Sequence, residues 1–358
     1  MSPPVVTVLM PVHNGAAFLR PAIDSILRQS FTDFEFIIVD DCSSDESVAM
    51  VQSFRDSRIR LLRAPDRLRI CGALNLGLDH ATGRFVARMD ADDISRPCRL
   101  EKQVARLTRH SDVALCGAWV RRFWGDERGH IDKRPISDDD VRAYALFDNP
   151  LVHSTVMIRR EVLDTFTIRY DEAYRNAEDY DLWIRMFPHG RAVNLPEVLL
   201  DYRVHPTSVT TLAGDGMDAA AIRVVERLLV EIGLDPTDEQ VRFHRWLGTG
   251  RLYPERNREA IRRAESWLKE LLKSNDRHRV YAPGPIRRAV AQVWYRTCYH
   301  SLSEGAWIVN RYLAFWRSAC HGACPLRAAT FLGAAVKDRF GADARPALTG
   351  RGDSCVRD

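Results

Sequence analysis

The alternation between Val5 and Met89 constrains the fold more than any other feature of the chain. Short, almost unbroken apolar runs, Val5 to Met10, Glu35 to Val39, Ile59 to Leu62 and Arg84 to Met89, are separated by segments with helical spacing. Between the first two runs, Phe18, Ala22, Ile23, Ile26 and Leu27 fall on one helical face. Asp45 to Phe54 and Cys71 to His80 supply the next helices, with Arg99 to Leu107 following the fourth run. Strands this apolar must be covered on both faces, so the pattern predicts a parallel sheet flanked by helices. Three consecutive β-α-β steps open an α/β, doubly wound sheet, and such sheets bind ligands beyond the carboxyl ends of their strands.

After Val113 the pattern loosens. Longer strands are expected at Val113 to Trp124, Ser154 to Arg159 and Val198 to Val204, with a helix from Asp179 to Phe187. Residues 217–233 and 256–273 read as amphipathic helices, and Ile286 to Phe340 is aromatic, basic and nearly free of acid. A cluster of Thr, Gly and Asp near Thr211 to Gly216 marks a boundary. Residues 1–212 are therefore expected as one domain and 213–358 as a C-terminal helical region. From Arg251 to Asp358 there are 20 Lys and Arg against 10 Asp and Glu, so the rest of this +4 chain is acidic. The acidic half suits a metal, and the basic half suits anionic lipid, phosphate or nucleic acid.

No run reaches the ~20 apolar residues of a membrane-spanning helix, and Met1-Ser2-Pro3-Pro4-Val5 has no signal-peptide character. A cytoplasmic protein is expected, with its eight scattered cysteines as free thiols.

Two strand ends carry unusual acids. Asp90, Asp92 and Asp93 place three carboxylates in four residues directly after the fourth run. Like charges so close raise one another's pKa and persist as carboxylates where a cation neutralises them. A helix cap at Asp93 or Ser95, ahead of Arg96-Pro97, is the plainer explanation. Asp40-Asp41-Cys42-Ser43-Ser44 follows the second run and can likewise cap a helix, although one side chain suffices for a cap. Glu178, Asp179 and Asp181 read on sequence alone as an acidic first helical turn.

Seven segments in order resemble the family 2 glycosyltransferases. They are Val8-Leu9-Met10-Pro11-Val12-His13-Asn14-Gly15, Ser30 to Ser43 with Asp40-Asp41, Ala73-Leu74-Asn75-Leu76-Gly77, Ala87-Arg88-Met89-Asp90-Ala91-Asp92-Asp93, His153-Ser154-Thr155-Val156-Met157, Ala177-Glu178-Asp179-Tyr180-Asp181-Leu182-Trp183 and Tyr202-Arg203-Val204-His205-Pro206. The likeness spans about residues 5–210 and omits the tail. It implies the GT-A fold, a Rossmann-like, mostly parallel sheet with flanking helices, here followed by the C-terminal helical region. It also implies an inverting, metal-dependent transfer of a hexose or N-acetylhexosamine from a nucleotide-sugar donor, with UDP favoured, to a glycan or lipid-linked acceptor in cell-surface polysaccharide biosynthesis.

By the same resemblance Asp92 contacts Mn2+ or Mg2+ and Asp90 lies toward the donor ribose or sugar. Oxygen ligands suit these ions, which stabilise a departing diphosphate. Asp41, with Asp40 beside it, accepts a hydrogen bond from the base, for which an acceptor-only carboxylate is suited. Pro11 and Asn14 belong to the first loop around the base. Asp179 is favoured over Glu178 as the general base that takes the acceptor proton. His205 is carried as a second metal-side residue, and the role of His153 stays open.

The chain departs from the family pattern at Asp66-Arg67-Leu68-Arg69-Ile70-Cys71-Gly72, where many relatives have a glycine before the Leu-Asn pair. The two arginines can pair with a diphosphate or acidic sugar, or stand in solvent. In the tail, Trp294, Tyr295, Tyr299, Trp307, Tyr312, Phe315 and Trp316 interleave with arginines. That mixture fits a peripheral contact of residues 280–340 with the cytoplasmic membrane face, or a helical subdomain that packs the rings internally. No nucleic-acid recognition motif is present, so no nucleic acid partner is expected. A nucleotidyltransferase would share the metal carboxylates but needs a glycine-rich loop where this chain has Pro11 to Ala16. An inactive glycosyltransferase-like binding protein is disfavoured by retention of Asp41, Asp90, Asp92 and Asp179.

Overall fold

A computed structural model describes residues 3–206, 219–249 and 257–319. They form two compact units: 3–141 with 150–206, and 142–149 with 219–319. The boundary expected at 212/213 lies outside the described residues, as do all of 320–358 and the cysteines there.

In chain order the first unit holds β1 (Val6–Val12), α1 (Ala16–Leu27), β2 (Phe34–Asp40), α2 (Ser47–Ser53), β3 (Ile59–Arg63), α3 (Arg69–His80), β4 (Phe85–Arg88), β5 (Ile94–Ser95), α4 (Arg99–Arg109), β6 (Val113–Trp124), β7 (Glu127–Asp132), the start of α5 (Asp138–Ala145), β8 (Met157–Arg159), α6 (Arg160–Thr165), α7 (Glu178–Met186) and β9 (Arg191–Arg203). The sheet order is β3-β2-β1-β4-β8-β6-β9-β5, with β7 hairpinned onto β6. The pairs β3-β2, β2-β1 and β1-β4 are parallel, and β8 runs antiparallel between β4 and β6. The chain steps outward from β1 through β2 to β3, then returns to the other side of β1 as β4. That reversal opens a crevice at the carboxyl ends of β1, β2 and β4.

Burial explains the strand register. Val8, Met10, Phe36, Ile38, Phe85 and Ala87 join one core with Leu19, Ile23 and Ile26 of α1 and Leu100 of α4. Pro11 sits in this central strand without cost because β4 ends opposite Leu9. The last link on that side is Met89 N–H to Leu9 C=O (3.0 Å), so the N–H that Pro11 lacks has no partner to lose.

The expected run from Ser154 to Arg159 divides. His153–Thr155 is a 3-10 turn and only Met157–Arg159 is strand. The Thr155 hydroxyl donates to Val152 C=O (2.8 Å), a local bond that competes with the sheet ladder. The strand expected from Val198 begins at Arg191 and pairs parallel with β6 along most of its length.

The second unit is helical: the end of α5, then α8 (Ala219–Glu231), α9 (Asp238–Thr249), α10 (Arg258–His278), α11 (Pro283–Tyr299) and α12 (Ala306–Ala319). His244 organises its centre. Its Nδ1 accepts the Trp267 indole N–H (2.9 Å), so Nε2 carries the proton given to Leu146 C=O (2.8 Å), and burial lowers its pKa to about 4. Trp294, Tyr312 and Phe315 are core residues here. For these three rings the internal-packing alternative holds and the membrane one fails. No helix among the described residues is long and apolar enough to cross a membrane, and Cys42, Cys71, Cys98, Cys116 and Cys298 are free thiols.

Gly83 joins the sheet to its surroundings. Its N–H donates to Thr7 Oγ1 (2.9 Å), and its carbonyl accepts from Arg160 Nε (2.7 Å). A Cβ there would press on the backbone of Val6 and Thr7, which cannot turn aside. Gly83→Ala is expected to destabilise the first unit by about 2 kcal/mol or more, as overpacked core sites do. Urea unfolding followed by circular dichroism checks this, and an unchanged midpoint would show that β1 yields.

Candidate active site

The acids expected to act together converge at the end of β4. Carboxylate oxygens of Asp90, Asp92 and Asp93 lie within 4.8 Å of one another. Asp90 pairs with Arg88. Asp92 Oδ2 is 2.9 Å from His205 Nε2. Asp93 is 1% exposed; its Oδ1 accepts the Arg203 backbone N–H (2.8 Å), and the Ser154 hydroxyl lies beside the carboxyl. Burial, with the charges of Asp90 and Asp92, pushes the Asp93 carboxyl well above the usual carboxylate range. Asp90 is raised as well, first by lost solvation, with Arg88 opposing and Asp92 adding to the rise.

The cluster is assembled by pairing between two strands far apart in the chain. β5 pairs antiparallel with β9, matching Ile94 to Asp201 and Ser95 to Leu200, which carries the end of β9 across the acidic turn. Arg203 is then held between two rings, its guanidinium carbon 4.7 Å from the Phe18 centroid and 4.5 Å from that of Phe123. Its Nε donates to the Asp92 carbonyl (2.8 Å). The His205 ring lies 4.7 Å from Phe18. Beneath the turn, fully buried Arg99 donates from Nη2 to the Arg88 carbonyl (2.6 Å), and desolvation beside Arg88 lowers its pKa to about 9.

Arg203, Arg88 and Phe18 were not expected as site residues. The signal for Arg203 lay in Tyr-Arg-Val-His: in extended chain, residues two apart face the same side, so the arginine shares a face with the histidine.

At the end of β2 the acids divide their work. Asp40 is 2% exposed, and its Oδ1 accepts from Ser43 N–H (3.3 Å), a turn bond inside the loop that does not cap α2, whose first residue is Ser47. Asp41 is 3% exposed; its Oδ1 accepts from Leu68 N–H (2.6 Å), and its Oδ2 pairs with Arg67 Nε (2.8 Å). Arg67 is thus turned onto Asp41, while Arg69 stands exposed. The His13 to Ala16 turn is fastened to the next loop: Asn14 Oδ1 accepts from Ser44 N–H (2.8 Å), and Gly15 N–H donates to Ser47 Oγ (2.9 Å). Pro11 is buried in β1 and Asn14 is exposed on this rim.

Glu178 and Asp179 open α7. Glu178 is 8% exposed with Oε2 unpartnered, and burial followed by the Asp179 charge pushes its pKa up to about 7. Asp179 is half-buried, and its Oδ1 accepts from Tyr180 N–H (2.7 Å). The buried Arg88 charge acts on Asp90, Glu178 and His153 alike, so one cation connects the two acidic groups. His153 Nε2 is 2.9 Å from the Tyr170 hydroxyl, and its ring is edge-on to Trp183 at 5.8 Å. Desolvation and Arg88 hold it neutral, which fits a packed, positioning histidine.

A crevice at the ends of β1, β2 and β4, with carboxylates on the last two, lies where open α/β sheets bind their ligands. The likeness to solved structures agrees on the fold: S. aureus TarS 1–349 in complex with UDP-GlcNAc superposes with a TM-score of 0.54 at 16% identity, covering 89% of this chain and 90% of that one. The model of glycosyl transferase family 2 matches residues 7–167. The putative glycosyltransferase EpsE of Bacillus subtilis is 36% identical over 207 residues, 56% of this chain and 74% of that protein. The UDP-Glc:alpha-D-GlcNAc-diphosphoundecaprenol beta-1,3-glucosyltransferase WfgD of Escherichia coli is 27% identical over 215 residues, 58% of this chain and 80% of that protein. The chain belongs to the family 2 glycosyltransferases and is a glycosyltransferase with the GT-A fold.

The raised Glu178 pKa has a consequence for stability. A carboxyl whose pKa is higher folded than unfolded favours folding while protonated. That contribution is complete below about 4.5 and is lost as pH climbs through about 7. Glu178→Gln, neutral throughout, is expected to exceed the wild type by about 1–3 kcal/mol at pH 8 and to show little or no advantage at pH 4. Thermal melts across that range check it, and parallel curves for the two proteins would refute it.

Proposed function

We propose that the chain is an inverting, divalent-metal-dependent glycosyltransferase. It moves a hexose or N-acetylhexosamine from a nucleotide sugar, UDP-linked for preference, to a glycan or lipid-linked acceptor in cell-surface polysaccharide assembly. Residues 1–212 form the catalytic domain and 213–358 the helical region. The observation that carries the reading is the cluster of Asp90, Asp92 and Asp93, whose carboxylate oxygens lie within 4.8 Å of one another.

A hard divalent cation fits that donor set: carboxylate oxygens with one imidazole, mutually repelling and only partly offset by Arg88. Asp92 and His205 would hold Mn2+ or Mg2+, which when bound neutralises charge on the departing diphosphate. Arg203 keeps the Asp92–Asp93 turn in place through one carbonyl and one carboxylate. Asp90 faces the donor ribose or sugar. Asp41 receives the ring N–H of the base, for which Arg67, on a side chain 46% exposed, swings outward. Asp40 fixes the loop, and Pro11 and Asn14 wall the base. Asp179 accepts the acceptor hydroxyl's proton, and Glu178, whose carboxyl burial and the Asp179 charge push up to about 7, stands beside it. A UDP donor and a lipid-diphosphate acceptor match the reaction in WfgD's name.

Calorimetric titration with UDP, GDP and dTDP, each with and without manganese, tests the donor half. Manganese-dependent binding of one diphosphate, lost in Asp92→Ala, is expected; binding indifferent to metal and to Asp92 would overturn the site. For the transfer half, Asp179→Asn is expected to keep donor affinity within about threefold and to lower kcat by at least 100-fold. Glu178→Gln should retain much more activity, and the reverse order would move the base to Glu178.

A further inference from the structure

We propose that the seam between α10 and α12 is a docking surface for anionic lipid bilayers. Arg258 and Arg262, one turn apart on α10, and Arg311 on α12 bring their guanidinium carbons to 5.2, 5.7 and 5.9 Å from the centroid of Trp307, which lies one turn before Arg311. Three cations therefore surround one half-buried indole, with Arg258 and Arg262 exposed. Neighbouring acid does not balance them. Glu304 pairs with Arg258 (2.7 Å), while Glu265, 5% exposed, is shared between Arg311 (2.6 Å) and Lys269 (2.7 Å). Arg262 has no ion pair among the described residues. Two carboxylates thus take up the ion pairs of three of these four cations, and Glu259 is the further acid of the first turn of α10.

Helix energetics does not account for the placement. Arg258 occupies the first turn of α10, the positive end of its dipole, where Glu259 is stabilising and a cation is not, and Arg262 and Arg263 follow in the second turn. α12 contains no acidic residue, and its exposed positions include Ala306, Asn310, Ala314 and Arg317. An anionic partner would meet no repulsion along that helix.

The mixture of groups selects a bilayer over a small anion. Arginines on two adjacent helices flank a tryptophan whose ring is part accessible, so apolar stems and an indole can sit at the headgroup level while guanidiniums reach phosphates. A free phosphate has no use for the ring. The surface keeps Trp307 and Arg311 of the contact expected for residues 280–340, leaves out Trp294, Tyr312 and Phe315, which are core, and adds Arg258 and Arg262 of α10. Its purpose, presenting the enzyme to lipid-linked acceptors, rests on the proposed reaction. The binding itself does not.

Flotation of the full chain with phosphatidylcholine vesicles, with and without phosphatidylglycerol, tests the surface. The wild type is expected to float with the anionic vesicles only and to be released by salt. Arg258→Glu/Arg262→Glu should lower partition at least tenfold while keeping its melting temperature and its nucleotide binding. Arg262→Gln, at an exposed position without an ion pair, should give a smaller loss and guards against misfolding of the double variant. Equal flotation of wild type and both variants, or no preference for anionic vesicles, would overturn the proposal. Release by millimolar inorganic phosphate at constant ionic strength would overturn it in favour of a small-anion site. Because donor titration is independent of vesicles, loss of one does not imply loss of the other.

Discussion

The repulsion among Asp90, Asp92 and Asp93 is the constraint around which the first unit is built. Carboxylates with oxygens inside 4.8 Å cannot all ionise in a buried setting without compensation. The protein supplies part of it through Arg88 on Asp90, His205 beside Asp92 and the Arg203 backbone N–H on Asp93. Each comes from a different element: β4, the chain after β9, and the end of β9 itself. β9, held along β6, returns across the acidic turn to bring two of these groups to it, and β5, only two residues long, pairs with β9 at that crossing.

Uncharged side chains keep the frame rigid without adding to the charge. Gln29 donates from Nε2 to Ser95 Oγ (3.1 Å) and Arg96 C=O (2.8 Å), and accepts at Oε1 from Leu100 N–H (3.0 Å). Gln103, fully buried, donates to Cys116 C=O (2.6 Å) and Thr155 C=O (2.8 Å). One amide, just past the end of α1, thus secures the chain that follows the acidic turn, and the other ties α4 to β6 and the His153–Thr155 turn. Both satisfy backbone groups that would otherwise be buried unpaired.

The legible part of the sequence was the part governed by local rules. Period-two and period-3.6 patterns gave β1 to β4 and α1 to α4 within a few residues, and the acidic strand ends followed from the topology. β7 and α9 escaped because Glu127 to Asp132 and Asp238 to Thr249 are polar segments that only tertiary contacts make regular. The start of β9 escaped for a related reason: Pro196 and Glu197 interrupt its apolar run, and the register with β6 shifts there. Within the site, carboxylates betrayed themselves by clustering, whereas their counter-charges did not. Arg67, Arg88 and Arg203 are ordinary arginines until the fold places Asp41, Asp90 and the Asp92 carbonyl beside them. The tail aromatics show the converse: one run of residues divides between core and seam according to helical phase, which a reading of composition averages away.

The rim of the crevice is also where the backbone departs from its easiest conformations. Asn14 (φ 51°), Cys42 (φ 56°) and Arg69 (φ 58°) stand in the left-handed region, in the loops after β1 and β2 and at the start of α3, and Asn176 (φ 72°) precedes Glu178. Left-handed backbone disfavours residues with a Cβ by about 1 kcal/mol or more, and glycine would relieve it. At Asn14 the reason for keeping a side chain is visible, because its Oδ1 holds the Ser44 N–H. Arg69 begins α3 directly after Leu68, whose N–H is bonded to Asp41, so the left-handed turn sets how the Arg67–Leu68 segment meets that carboxylate. A glycine at any of these points would relax the chain and loosen the loop. Stability has been exchanged for loops already fixed in place around Asp41 and the Glu178–Asp179 pair, which fits a site that must hold a donor and an acceptor in register before a proton moves.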